Sequence, residues 1–324
     1  MENLKLIYGE NTYLIEREIK SIKKQFGEIV QGINYVAIEI NGIENIIPEL
    51  ETPAFGYPEK LIIVRHCDLL KKETKTKKSK NQEIAQKLAN YIEENIQLLE
   101  NTILLIVEEA ADKTNTLYKT IEKHGMVKEY TDLKPLEISA ELKRICAGYK
   151  VDIDNDTIKY IIETCGTSMQ ELINEIRKLI EYAGEGGKID KVAVDLLAIP
   201  KIEAVIFDLT DNLGNKKIAQ ALGVLKNLIY NKEPVQKILI TLYNHFKKVY
   251  LVKIAQKENS DLAKVLNLKP NQTFLITKYK KQAEYFEEAK LRCILEELIN
   301  LDANSKIGQI DLELGLESIL CNYV

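Results

Sequence analysis

Residues 9–12, Gly-Glu-Asn-Thr, stand between an apolar run and a helical pattern, the position at which a phosphate-binding loop would sit. Such a loop wraps phosphate in backbone N–H groups freed by several glycines. It adds a Lys and a Ser or Thr for the phosphates and Mg²⁺. This turn has one glycine, no Gly-Lys-Ser/Thr, and the carboxylate of Glu10 where phosphate would lie, which argues against an NTPase here. Glu108, Glu109 and Asp112 follow the apolar run 103–107, where NTPases hold Mg²⁺ and its water. Without a phosphate cradle, these carboxylates are expected to make loop or capping contacts. His245 lies on an apolar-rich helical pattern with no second histidine or carboxylate at ligand spacing, so a packed or surface histidine is expected rather than a ligand. Leu291-Arg292-Cys293 carries the last two residues of a Ser-Arg-Cys arginine-finger motif but lacks the serine and any nucleotide site nearby, and is set aside.

One stretch stands apart: residues 50–64, LETPAFGYPEKLIIV. Thr52-Pro53 breaks what precedes it, because proline fixes φ and removes a donor. Ala54-Phe55 then sits on a bend closed by Gly56 and Pro58, and the apolar run 61–64 gives a buried-strand signal. Phe55 either folds back into the core, as most phenylalanines do, or is a hydrophobic plug offered to a partner. Local pattern leaves both open. Residues 71–80 hold six lysines. A solvated loop is the ordinary reading of such a run; phosphate contact through Lys75, Lys77 and Lys78 is the second.

The totals narrow the class. The chain has 324 residues, room for two or three domains, with 45% hydrophobic and 29% charged residues. Net charge is −4, so any nucleic-acid role must be local or shared with other subunits. Arginine occurs only at 17, 65, 144, 177 and 292. No apolar run has membrane-span length and the first residues read as a strand, not a signal peptide. Five scattered cysteines, no CxxC and three histidines suit a reducing cytoplasm and argue against structural zinc. No cofactor or metal is expected.

The elements that must position these residues fall into two kinds. Strands are expected at 4–8, 35–40, 61–64, 103–107 and 127–130. Helices are expected through Ile15, Ile19, Ile22 and Phe26, over 43–50, through Ile84, Leu88 and Ile92, and through Leu117, Tyr118 and Ile121. Alternating strands and helices imply right-handed crossovers and a parallel sheet with helices on both faces. From Pro135 onward only helices are expected. Asp154 and Asp190 are caps, and Ser168 with Glu171 forms a capping box. After Pro200 the helices lengthen: 202–213, 216–230, 234–257, 261–266, 271–279, 283–301 and 310–322.

Matching segments run nearly the length of the chain. They are Leu6-Ile7-Tyr8-Gly9-Glu10 with Tyr13-Leu14-Ile15, Thr52-Pro53-Ala54-Phe55-Gly56 before Leu61-Ile62-Ile63-Val64, and Cys165-Gly166 through Glu175-Ile176-Arg177-Lys178-Leu179. Ile206-Phe207-Asp208-Leu209 follows, and Leu301-Asp302, Lys306, Gly308, Asp311 and Leu314 close the set. In these the chain resembles the delta subunits of bacterial DNA polymerase III clamp loaders, of the AAA+ class. The resemblance implies an α/β AAA+-like domain over 1–137 lacking a Walker A motif, a small helical lid over 138–208, and a helical collar for oligomerisation over 209–324. It implies no hydrolysis of ATP and no catalytic site of its own within the polymerase holoenzyme. The implied partners are the sliding clamp (beta), the ATPase subunits (gamma/tau) and delta-prime through the collar, and primed DNA; the implied location is cytoplasmic.

In this family the clamp-opening tip is an apolar residue followed by phenylalanine, just before the third strand. It falls here on Ala54-Phe55. Ala54 is smaller than the aliphatic residue often found, so either that half of the tip binds more weakly or Tyr57 supplies the missing surface. Two other classes remain to be tested: a divergent AAA+ ATPase using Glu108 or Glu109, and a helical scaffold with no clamp involvement.

Overall fold

A computed structural model describes residues 3–72, 80–258 and 260–322. The chain forms two compact units, 1–132 and 133–324.

The first unit is a five-stranded, wholly parallel sheet in the order β2-β3-β4-β1-β5. Its strands are β1 (Leu4–Tyr8), β2 (Tyr35–Ile38), β3 (Lys60–Arg65), β4 (Thr102–Glu108) and β5 (Met126–Glu129). The helices between them are α1 (Thr12–Phe26), α2 (Ile46–Glu51), α3 (Lys80–Glu94) and α4 (Thr116–His124). Central β3 and β4 are covered on both faces, which is why they read as unbroken apolar runs. Alternation sorts their side chains. Ile7, Leu61, Ile63, Ile103, Leu105 and Val107 meet Ile15, Ile19 and Ile22 of α1 on one face. On the other face Leu6, Ile62, Val64, Leu104 and Ile106 meet Leu88 and Ile92 of α3 and Leu117 and Ile121 of α4. The second strand ends sooner than expected, because Ile40–Asn45 winds into a 3₁₀ turn that feeds α2.

The second unit begins with α5 (Pro135–Gly148), β6 (Asp152–Ile153), α6 (Asn155–Cys165), α7 (Met169–Ala183), β7 (Lys188–Ile189) and α8 (Lys191–Leu197). Asp154 and Asp190 accept hydrogen bonds from the N–H groups of Thr157 and Ala193, as caps should. Two expectations are corrected. The region is not purely helical: β6 and β7 pair in parallel through Asp152↔Lys188 and Ile153↔Ile189. Two-residue strands carry no periodicity for a sequence to reveal. The capping box at α7 is absent, since Ser168 makes no side-chain cap bond and the Glu171 carboxylate instead pairs with Lys201.

The remainder is α9 (Ile202–Gly214), α10 (Ile218–Tyr230), α11 (Val235–Lys257), α12 (Leu262–Val265), α13 (Leu275–Tyr285), α14 (Glu288–Lys306) and α15 (Leu312–Asn322). The 23-residue α11 is the axis. Its Ile238, Leu242, Phe246 and Val249 are buried in one core with Ile206 and Leu209 of α9, Leu225 of α10, Leu291, Ile294 and Leu298 of α14, and Leu316 of α15. The break expected between Tyr279 and Ala283 lies instead at Phe286, extended at φ −117 and ψ 140. That ring is buried edge-on against Phe246, 5.8 Å between centroids, and this contact places the bend. Of the expected domain boundaries, 137/138 falls inside α5 and 208/209 inside α9.

Candidate functional site

The loop between α2 and β3 leaves Phe55 90% exposed. Of the two readings open for this ring, burial in the core is ruled out. Ala54 and Tyr57 beside it are half-buried. Gly56 has φ +77, a left-handed conformation that glycine adopts without strain and that turns the chain at the phenylalanine.

The stem of this loop is polar and closed. Thr52 Oγ1 and the Thr52 N–H both donate to the Pro48 carbonyl, at 2.8 and 3.1 Å. Lys60, only 2% exposed, donates from Nζ to the carbonyls of Glu49 and Thr52 at 2.8 and 2.9 Å and to the Glu49 carboxylate at 2.7 Å. An exposed aromatic thus sits on a stem whose hydrogen-bonding groups are satisfied internally. Lys60 was not singled out from sequence. The only signal was a lysine directly abutting a buried-strand run, where its amine must find partners or reach water.

At the opposite, carboxyl ends of the strands, the phosphate-loop position is closed by the chain itself. The N–H of Gly9 donates to the Glu108 carbonyl at 3.2 Å and that of Asn11 to the Tyr130 carbonyl at 3.1 Å. Asn11 caps α1 by accepting from the Leu14 N–H at 3.1 Å, and its amide nitrogen donates to the Thr131 carbonyl. Gly9 has φ +134, and a Cβ there would lie 2.1 Å from the Tyr130 carbonyl oxygen. The Tyr130 backbone, just past the end of β5, therefore fills the space a phosphate would need.

Glu108 is buried at the end of β4 and holds the loop that follows β3. Its two carboxylate oxygens accept from the N–H groups of Leu69 and Asp68, at 3.1 and 3.3 Å. Burial raises its carboxyl, against the opposing pull of those N–H groups. The loop it holds, after β3, puts His66 and Asp68 at φ 50 and 58. Asn115 Nδ2 ties the same loop down through the Leu69 carbonyl at 3.2 Å. Glu109 is exposed. The Asp112 carboxylate accepts from the N–H and hydroxyl of Thr114, which hold its carboxyl below the ordinary range.

Lys75, Lys77 and Lys78 lie outside the described residues. At the ends of that run, Lys71 pairs with Asp68 at 2.8 Å and Lys80 with Glu44 at 2.5 Å. His245 is a core residue, its Nε2 2.7 Å from Gln282 Oε1, and burial pushes the ring down to about 4. Arg292 lies 3.5 Å from Glu296 on the exposed side of α14. No three His, Cys, Asp or Glu side chains come together as a metal site among the described residues. No helix among them is long and apolar enough to cross a membrane.

Two family models cover most of the chain. One, described as DNA polymerase III, delta subunit, matches residues 6–131. The other, DNA polymerase III delta subunit, C-terminal domain, matches residues 203–323. The DNA polymerase III subunit delta of Bacillus subtilis is 24% identical, over 97% of this chain and 90% of its own length. The probable DNA polymerase III subunit delta of Aquifex aeolicus is 27% identical, over 94% of this chain and 87% of its own. The solved DNA clamp loader delta protein of Bacillus subtilis shares the fold, with a TM-score of 0.69 at 23% identity, over 99% of this chain and 95% of that one. A sheet whose phosphate site is closed by its own backbone, a helical remainder, and matches at both ends of the chain agree: the chain belongs to the DNA polymerase III delta subunit family.

Proposed function

We propose that this chain binds the sliding clamp through Phe55, supported by Ala54 and Tyr57, and opens it so that the loader can place it on primed DNA. The observation that carries this reading is the 90% exposure of Phe55 on a loop with an internally bonded stem. Burying such a ring in a partner's pocket contributes about 1.5–3 kcal/mol. Opening follows if the chain binds the opened ring more tightly than the closed one, because only differential affinity moves an equilibrium.

Phe55→Ala is the direct test. Truncating an anchor that fills a pocket costs about 2 kcal/mol or more, roughly a 30-fold loss of affinity. Calorimetry with the clamp measures it; unchanged affinity would sink the reading. Assembly with the ATPase subunits (gamma/tau) and delta-prime, assigned to the collar, should survive the substitution.

The rest of the chain is proposed to serve as a small helical lid and a collar, the divide lying just before α9. We assign the chain no catalytic site. Support comes from the hydrogen bonds that occupy the Gly9 and Asn11 amides and the Glu108 carboxylate. Measurable ATP binding by the isolated chain would restore the ATPase reading. DNA contact through Lys75, Lys77 and Lys78 is proposed as weak and salt-sensitive; tight sequence-specific binding would contradict it.

A further inference from the structure

We propose that Lys60 is the positioning residue of the plug: it closes the loop that carries Phe55 and holds the ring in its docking geometry before the partner arrives. This rests on the reading of Phe55 as the clamp anchor and adds how that anchor is held.

Lys60 is fixed at its base. It is the first residue of β3, and its backbone lies in register with Thr102 of the central strand β4. From there its side chain runs back to the end of α2. Its ammonium has three hydrogens, and three acceptors face it: the Glu49 carbonyl, the Thr52 carbonyl and the Glu49 carboxylate. Two of those acceptors are backbone atoms at the point where the Phe55 loop leaves the helix. Residues 52 and 60 are thereby tied together, and residues 53–59 become a closed loop with Phe55 near its turn.

The segment being held cannot hold itself. α2 has six residues, too few to be stable alone, and its last carbonyls have no partners within the helix. Thr52 satisfies the Pro48 carbonyl, and Lys60 satisfies those of Glu49 and Thr52. A buried charge is a poor device for stability alone, since an apolar residue of similar size often serves as well. Its advantage is direction, because it fixes where α2 stops and where the loop begins. A loop ordered in advance loses less freedom on binding, so more of the ring's burial appears as affinity.

The test uses the full chain and the sliding clamp. Calorimetry compares wild type, Lys60→Met, Glu49→Gln, Phe55→Ala and the double variant Lys60→Met/Phe55→Ala. Lys60→Met is expected to bind about ten-fold more weakly. In the Phe55→Ala background the same change should have no further effect, because a residue that acts only through Phe55 is not additive with it. Amide exchange in residues 53–59 should quicken while β4 stays protected. Glu49→Gln keeps both carbonyl bonds and should fall between wild type and Lys60→Met. It also serves as the probe if Lys60→Met fails to fold, an unchanged loop exchange and affinity then counting against the proposal. Equal weakening in both backgrounds, or unchanged binding of a folded Lys60→Met, overturns it. If Phe55→Ala itself binds normally, the anchor reading fails and this one with it, an outcome distinct from the others.

Discussion

The two ends of one parallel sheet have been finished in opposite ways. At the carboxyl ends of the strands, Gly9, Asn11 and Glu108 engage their polar groups with neighbouring backbone, and the Tyr130 carbonyl, just past β5, fills the space above the first turn. At the amino end of β3, the polar groups are also satisfied, but the loop they support holds a phenylalanine out in solvent. In open α/β sheets the carboxyl edge is where ligands ordinarily bind. Here that edge is closed, and the exposed chemistry lies at the other. If Phe55 is the clamp anchor proposed above, the binding surface has moved without any change in the fold, through the choice of which loop is capped by backbone and which is left to a partner.

The contrast can be broken most severely at Gly9. Gly9→Val adds a Cβ 2.1 Å from the Tyr130 carbonyl at a φ of +134. The clash and the strain together are expected to cost about 3–5 kcal/mol of stability, read by urea denaturation. A change under about 1 kcal/mol would mean the carboxyl edge is slack, not closed. Phe55→Ala should show the reverse pattern: the large loss of clamp affinity given above, but a change in folding stability within about 0.5 kcal/mol, as for an exposed side chain. Any larger destabilisation would show the ring supporting the fold.

Glu108 sharpens the closed edge through pH. Burial sets its carboxyl above the ordinary carboxylate range in the fold. The folded chain therefore keeps this proton to higher pH than the unfolded chain. Its contribution to stability is fully present below the unfolded value and is lost as pH rises through the folded one. Glu108→Gln should flatten that part of the stability–pH profile. It should also cost about 1–2 kcal/mol at low pH, where one backbone N–H loses its acceptor. A profile identical to wild type would place the carboxyl in water. The smallest effect is expected at Ala54. Ala54→Leu enlarges the apolar tip and should tighten clamp binding by about five-fold, roughly 1 kcal/mol. Weaker binding would mean the pocket is fitted to alanine.

What could be read from sequence follows from where the physics is local. Strands 61–64 and 103–107 announced themselves because both faces are buried, which leaves no room for polar residues. The Asp154 and Asp190 caps lie three residues from their targets and were equally plain. Ser168 and Glu171 have the spacing of a capping box, yet Glu171 turns to Lys201, a partner 30 residues on that spacing cannot reveal. The helix break at Phe286 was misplaced for the same reason, since it is set by Phe246 from another helix. At the candidate site, local pattern showed Phe55 only as a residue on a bend and left its exposure open, and it was the family resemblance that pointed to an exposed tip. Lys60 carries no local signal of its three acceptors, which come from residues 49 and 52.

The polar chain that joins α9, α11 and α13 has a consequence of its own. Gln282 gives both amide hydrogens away, to the Phe207 carbonyl at 3.0 Å and to Asp211 Oδ1 at 2.7 Å. Its oxygen can then only accept, so the proton of the neutral His245 ring must sit on Nε2, and that tautomer is dictated from outside the ring. Leucines and isoleucines along α9, α11 and α13 tolerate a small slide of one helix past another. This chain does not, because a single-residue slip of α13 would carry Gln282 away from all three partners at once. Gln282 acts as a key in a keyway, fixing the register of α13 against α9 and α11.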